Sequence, residues 1–295
     1  MHRLSEKPIV SFSRNGERFE LGTSGLDPIL HMYGSTGLGI APVEVSDSER
    51  LGGDGSIVRS VRFGKREVFI PLRMEAETTA DLSVLRRRLA RLITPVSGDP
   101  AASLVDVTIQ DPATGIERTA RGIYKDGLDG DFGSGYHGYW QKLGLTFECH
   151  DPWWLGPEQT VELRVNPGSK PFLSDTVPFF PVVLAQSTVQ GRFDVTVEGD
   201  GQVWPSWEVV GPGTDLAIAR GNDRIEIRGD FPAGSPVLID TATRRITPDR
   251  WDDTTRASEL FPLEPGRQTI TVTLVGATTD TLVRLTYRER YLEGL

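Results

Sequence analysis

The residues best suited to chemistry in this 295-residue chain gather between Asp126 and His150. Gly133-Ser134-Gly135-Tyr136-His137-Gly138 fits the GxGxxG spacing. A dinucleotide fingerprint needs a strand before it and a helix after it, because the glycines turn the chain onto a helix N-terminus that holds the pyrophosphate. Trp140 to Cys149 alternates like a strand, so the segment reads as a loop and no cofactor is expected. Asp126, Asp129 and Asp131 lack the spacing of a calcium loop and the closing glutamate at its twelfth position. The four histidines, His2, His31, His137 and His150, are scattered, and Cys149 is the single cysteine, so no zinc spacing exists and no metal is expected. A GxSxG elbow, a Cys/His nucleophile pattern and a P-loop are all missing. Paired carboxylates for glycoside hydrolysis leave no short signature, so a hydrolase reading rests on the abundance of Asp and Glu alone. No catalytic residue is assigned and the chain is not expected to be an enzyme.

Two sets of residues suit contacts instead. Arg86, Arg87, Arg88 and Arg91 share a helix face, read either as solvated surface or as a salt-bridging contact with an acidic neighbouring subunit. Trp204 and Trp207, placed on one sheet face if Val203-Trp204-Pro205-Ser206-Trp207 is extended, would with Trp251 offer an aromatic platform for a sugar; a core pair is the plainer reading.

The element that positions the arginines is the clearest in the chain. Thr78-Thr79-Ala80-Asp81 supplies a threonine cap with a carboxylate three residues on, and Leu82, Leu85, Leu89 and Leu92 follow as one apolar stripe. The spacing predicts a helix over about 79–93, ended by Thr94-Pro95. Before it, Ser60 to Phe63 and Val68 to Met74 read as one strand run, with Pro71 marking a sheet edge because it cannot donate to a ladder. Asn15-Gly16 between apolar runs predicts a tight hairpin, and Gly52-Gly53-Asp54-Gly55 a mobile loop. Strands follow at 104–109, 118–124 and 140–149.

The proline-bracketed aromatic segment Asp151-Pro152-Trp153-Trp154-Leu155-Gly156-Pro157 sets a boundary between domains 1–157 and 158–295. Beyond it short strands alternate with turns, at 161–165, 182–184, 193–197, 206–210, 217–219, 224–228, 237–240, 244–247, 269–274 and 282–287, the pattern of a sandwich or barrel. The formal charge of −9 argues against general nucleic-acid binding, since phosphate contacts need clustered Lys and Arg. No apolar run approaches the ~18–20 residues that span a bilayer, and no signal peptide is visible. A lone cysteine excludes a disulfide within one chain; Cys149 reads as a buried, inert thiol.

Taken together, these segments resemble the distal tail protein family of long-tailed bacteriophages and prophages. The residues that carry the likeness run in order along the chain: Gly53-Asp54-Gly55, the strand from Val61 to Arg73, Leu85-Arg86-Arg87-Arg88-Leu89, Tyr139-Trp140, Leu143 to Phe147 and Asp151-Pro152-Trp153-Trp154. Asn166-Pro167-Gly168, Trp204-Pro205-Ser206-Trp207 through Gly211-Pro212, Ile239-Asp240-Thr241, Leu263-Glu264-Pro265-Gly266 and Tyr287-Arg288 complete the pattern.

The resemblance implies a mainly β protein. Its N-terminal domain is a β-barrel-like or β-sandwich domain with one packed α-helix, and its C-terminal domain is a galectin-like β-sandwich. It further implies a homo-hexameric ring at the tail tip of the virion, made in the host cytoplasm without membrane insertion. That ring joins the tail tube protein to the tail-associated hub protein, lies near the tape measure protein, and passes DNA without specific binding. The alternative is a carbohydrate-binding module that contacts the host surface. Edge strands and Gly-rich loops in residues 1–75 are expected to offer backbone for pairing between subunits.

Overall fold

The computed structural model describes residues 7–24, 27–129, 136–164 and 188–295. It divides into two compact units, Met1–Gly156 with Tyr291–Leu295, and Pro157–Arg290. The last five residues, placed by the sequence in the second domain, thus belong to the first unit. His2, Asp131, Gly133, Gly135, Asn166-Pro167-Gly168 and the strand expected at 182–184 lie outside the described residues.

The first unit contains β1 (Ile9–Arg14), β2 (Glu17–Leu21), β3 (Ile29–His31), β4 (Val43–Glu49), β5 (Ser56–Phe63), β6 (Arg66–Glu75), α1 (Thr79–Ile93), β7 (Leu104–Gln110), β8 (Glu117–Asp126), β9 (Tyr136–His137) and β10 (Trp140–Cys149). β11 (Trp154–Arg164) starts there and runs into the second unit. Antiparallel pairing follows the path β3-β6-β10-β8-β7-β1-β2. The path closes where Gly22, just past β2, donates to the Ile29 carbonyl at 2.7 Å and accepts from His31 N–H at 2.9 Å. The result is a barrel.

Strand periodicity builds its core. Side chains two residues apart share a face, so Val68, Ile70, Leu72 and Met74 of β6 turn inward with Leu145 and Phe147 of β10, Val105, Val107 and Ile109 of β7, and Val10 and Phe12 of β1. The sequence marks Pro71 as an edge; the structure places β6 between β10 and β3. The missing donor is tolerated because β3 ends at His31 and pairs only with residues 72–74, while the Pro71 carbonyl accepts Met32 N–H at 2.9 Å. The single strand run expected across residues 60–74 is likewise two strands, because the chain turns away at Gly64-Lys65 and β5 pairs with β4 instead.

Helix α1 is capped as its sequence dictates. Thr78, in an extended conformation, accepts the Asp81 N–H at 3.1 Å, and its hydroxyl reaches the Asp81 carboxylate at 2.6 Å. Leu82, Leu89, Leu92 and Ile93 are buried against the barrel, each worth about 2 kcal/mol of apolar burial. The other end is closed by a residue from the Asn15-Gly16 hairpin, whose turn residues both have positive φ. Arg14 donates to the carbonyls of Arg91 and Thr94, both at 2.7 Å, satisfying acceptors that the last helical turn leaves free.

Arg66 sits at the inward position of β6 and is 1% exposed. Its guanidinium donates to the carbonyls of Gly37 at 2.7 Å, Pro152 at 2.8 Å and Leu292 at 3.0 Å, and also to that of Gly39. It lies over the buried Trp154 ring, 5.5 Å from its centroid. Gly37 has φ +80°, and a Cβ there would stand 1.9 Å from the Glu67 carbonyl, so only glycine lets this loop come close enough. Burial lowers the Arg66 pKa, yet a guanidinium keeps its proton, and the carbonyls replace its lost water. Nearby, burial pushes the Cys149 thiol up to about 12, which makes it the inert group the sequence suggests.

The second unit is a sandwich of two sheets. One has the order β17-β16-β13-β19 with the end of β11 beside β19, and the other β12-β18-β14-β15. The elements are β12 (Thr188–Val197), β13 (Ser206–Val210), β14 (Gly213–Arg220), β15 (Asp223–Phe231), β16 (Pro236–Asp240), β17 (Arg245–Thr247), β18 (Gly266–Val275) and β19 (Leu282–Tyr291). Trp207, Val209, Ile218, Ile225, Ile270 and Leu285 fill the space between the sheets. On the outer face Arg284 is held by Glu162 at 2.8 Å and by Glu208.

Two measurements probe the first unit. Arg66→Met would leave buried carbonyls without a donor, a loss of about 3–5 kcal/mol by analogy with broken buried ion pairs, so the urea midpoint is expected to fall markedly. An unchanged midpoint would show that Arg66 does not hold the unit together. His31 is buried, with Nδ1 3.2 Å from the Pro8 carbonyl and Nε2 2.7 Å from the Ser35 hydroxyl. Burial lowers its pKa below 6.5, opposed by the Pro8 hydrogen bond and assisted by Lys7. The unfolded chain therefore takes up the proton first, so this stabilisation is complete above pH 6.5 and is lost as pH falls through and below that value. Melting temperature should decline between about pH 7.5 and 5.5 in the wild type, and more shallowly in His31→Gln.

Candidate interaction surfaces

The four arginines of α1 do not act as one set. Arg88 is engaged within its own unit: its Nε lies 3.3 Å from Glu17 Oε1, another guanidinium nitrogen donates to the Arg18 carbonyl at 3.3 Å, and the group lies over the Phe19 ring at 5.7 Å. Arg86 and Arg87 line a shallow groove with Ser83, Ala90 and Leu128. Arg87 and Arg91, four residues apart and both exposed, share the outer face with the exposed Val84. Arg87, Arg88 and Arg91 are thus exposed and Arg86 is half-buried, and Arg88 is tied to Glu17 of its own unit.

The tryptophans separate as well. Trp207 is 0% exposed in the sandwich core, Trp204 is half-buried, and Trp251 is exposed in a turn of 3-10 helix, Trp251–Asp253. The shared sheet face expected of Trp204 and Trp207 is not formed. β13 begins only at Ser206, and residues three apart in a strand point to opposite faces. A platform built on all three rings is therefore excluded, because Trp207 is unavailable to any ligand.

The surface that sequence reasoning located only coarsely, among the edge strands of residues 1–75, is the β4–β5 hairpin. Its strands pair only with each other among the described residues, and nearly every residue in it is exposed. The register sets Val43 opposite Phe63, Val45 opposite Val61 and Asp47 opposite Val58, with a bulge after Ser46. These pairs share one face. On the other, Glu44 lies opposite Arg62 and Ser46 opposite Ser60, and the Arg62 guanidinium pairs with Glu44 at 2.8 Å. Gly turn signals and alternation are present in residues 43–63, but alternation cannot say whether its apolar face meets a core or nothing.

At the base of the hairpin Phe63 meets Trp153 edge to face at 5.3 Å. At its tip Arg50 N–H reaches the Gly55 carbonyl at 3.3 Å, so the glycines expected as a mobile loop form a compact turn. Among the described residues, no group of three or more His, Cys, Asp or Glu side chains gathers as a metal site, and no helix is long and apolar enough to cross a membrane.

Residues 198–291 match the family model of the siphovirus-type tail component, C-terminal domain. Among solved structures, the Dit protein of phage SPP1, described as a paradigm of the hub adsorption apparatus in phages infecting Gram-positive bacteria, aligns with a TM-score of 0.62 and 17% identity, over 95% of this chain and 98% of its own. Chains of the phage P2 baseplate in its activated conformation, with Ca and with Sr, align with a TM-score of 0.55 and 10% identity, over 95% of this chain and 97% and 98% of theirs. No curated protein matches. At these identities the structural likeness is one of fold. Residues 198–291 thus carry the match to the siphovirus-type tail component C-terminal domain, and the chain shares the fold of Dit along 95% of its length.

Proposed function

We propose that this chain is a distal tail protein that closes a homo-hexameric ring at the tail tip of the virion. It joins the tail tube protein to the baseplate hub, near the tape measure protein, and lets DNA pass during ejection. The observation that carries this reading is the fold likeness to Dit across both units, joined to the family match over 198–291. The net charge of −9 supports passage without grip, since a pore wall that repels phosphate offers no binding sites. The chain would be made in the host cytoplasm and enter the tail without crossing a membrane. A glycan-binding role has no specific observation in its favour once Trp207 is in the core.

Within the ring, Arg86, Arg87 and Arg91 on α1 face an acidic surface of the neighbouring subunit, while Arg88 stays with Glu17 of its own unit. Negative-stain images of the purified protein, alone and with the tube and hub proteins, should show six-fold rings. Replacing Arg86, Arg87 and Arg91 with glutamate should abolish rings at about 0.1 M salt and partly restore them at about 1 M, where the screening length shrinks from ~10 Å to ~3 Å. Wild-type particles without rings even beside both partners would overturn the function. Rings unaffected by the substitutions would overturn only the arginine contact.

A further inference from the structure

Residues 291–295 return to the first unit and lie in a groove that holds them by their backbone. Arg66 donates to the Leu292 carbonyl at 3.0 Å and Arg118 to the Glu293 carbonyl at 2.8 Å, while the Gly294 N–H donates to the Leu38 carbonyl at 2.7 Å. Three successive residues are thus held through main-chain atoms. Two positions also select a side chain. The Arg118 guanidinium lies 3.9 Å from the centre of the Tyr291 ring, and a Cβ on Gly294 would stand 2.9 Å from Cε2 of the buried Trp154 indole. Glu293 and Leu295 are exposed.

The segment sits on the barrel without being part of its interior. The buried apolar core of the unit draws no residue from 291–295, and Tyr291 is only half-buried against it. The groove also offers more than this occupant uses. The Nε1–H of Trp154 and the Nε–H of Arg118 are buried beside the segment and meet no protein acceptor among the described residues. A buried donor without an acceptor is costly, so the fit of residues 291–295 falls short of what the groove could give.

We propose that this groove is a peptide-binding site which the chain fills with its own residues 291–295, and that it takes an extended segment carrying an aromatic residue three positions before a glycine. Main-chain hydrogen bonds supply the affinity, since any extended segment offers the same carbonyls and N–H. Selectivity comes from the cation over the aromatic ring and from the indole face that admits no side chain. Residues 291–295 are then a strap, kept near the groove by their tether and able to leave it without opening the barrel. A partner chain that presents such a segment docks in the groove and displaces the strap.

The test uses the full chain and a fluorescent peptide, Tyr-Leu-Glu-Gly-Leu, blocked at both ends. Gly294→Val should expel the strap and leave the groove open. Fluorescence anisotropy should then show saturable binding of the peptide to Gly294→Val, with affinity about tenfold lower for the wild type, whose own segment competes at roughly millimolar effective concentration. A peptide with valine in place of glycine should not bind. Adding Arg118→Met to Gly294→Val should weaken binding about tenfold, through loss of one charged hydrogen bond and the cation over the ring.

No saturable binding to a folded Gly294→Val chain, equal binding of the valine peptide, or equal affinity for variant and wild type would each overturn the proposal. Should Gly294→Val lose the wild-type circular dichroism, hydrogen exchange of the wild type decides. The Gly294 amide should then exchange at least about a hundredfold faster than the amides of β6 and β10, as a strap that leaves by local opening requires. Protection equal to that of the barrel strands would overturn the proposal.

Discussion

One buried cation fixes the first unit. Arg66 stands in a barrel wall where every second residue is apolar, and a guanidinium removed from water must be met by acceptors. It finds them in backbone carbonyls from three separate stretches, at Gly37 and Gly39, at Pro152 and at Leu292. Pro152 lies just before the chain leaves the unit after Gly156, and Leu292 just after it returns at Tyr291. The departure and the return of the chain are therefore fastened to the same side chain. Arg118 reinforces the return, donating to the Glu293 carbonyl at 2.8 Å and lying 3.9 Å over the Tyr291 ring.

With its ends held, the barrel is free to be complete. Closure at Gly22 joins the end of β2 to β3, Arg14 caps the helix that lies on the barrel, and Arg88 ties that helix to the β1–β2 hairpin through Glu17. Completion inside makes the contrast outside sharper. The chain sends out one ribbon, β4–β5, whose strands pair only with each other among the described residues and whose valines are exposed. The chain's single thiol is buried and held protonated, and its buried histidine is spent on Pro8 and Ser35.

Much of this fold was legible in the sequence wherever a local rule was also the global one. Thr78 and Asp81 state the helix start by themselves, Asn15-Gly16 states its turn, and the period-two runs of β6, β7 and β10 state which side faces inward. Arg66 was written in the same code, since it shares the parity of Val68, Ile70 and Leu72, but an arginine between Lys65 and Glu67 reads as surface until its acceptors, up to 226 residues away, are known. Pro71 misled because its missing donor faces the place where β3 stops. Trp204 and Trp207 misled through a spacing of three read as if it were two. The hairpin was illegible for a different reason: its valines look like core, and only the fold shows that no core is there.

The central claim is that Arg66 fastens the Gly37 loop, the departing chain at Pro152 and the returning chain at Leu292 to one barrel. Hydrogen exchange of the amides in residues 36–39 and 291–295, compared with those of β6 and β10, in the wild type and in Arg66→Lys measures this directly. The account predicts that both segments exchange faster in the variant while β6 and β10 keep their protection. Segments that exchange at the wild-type rate in the variant would contradict it.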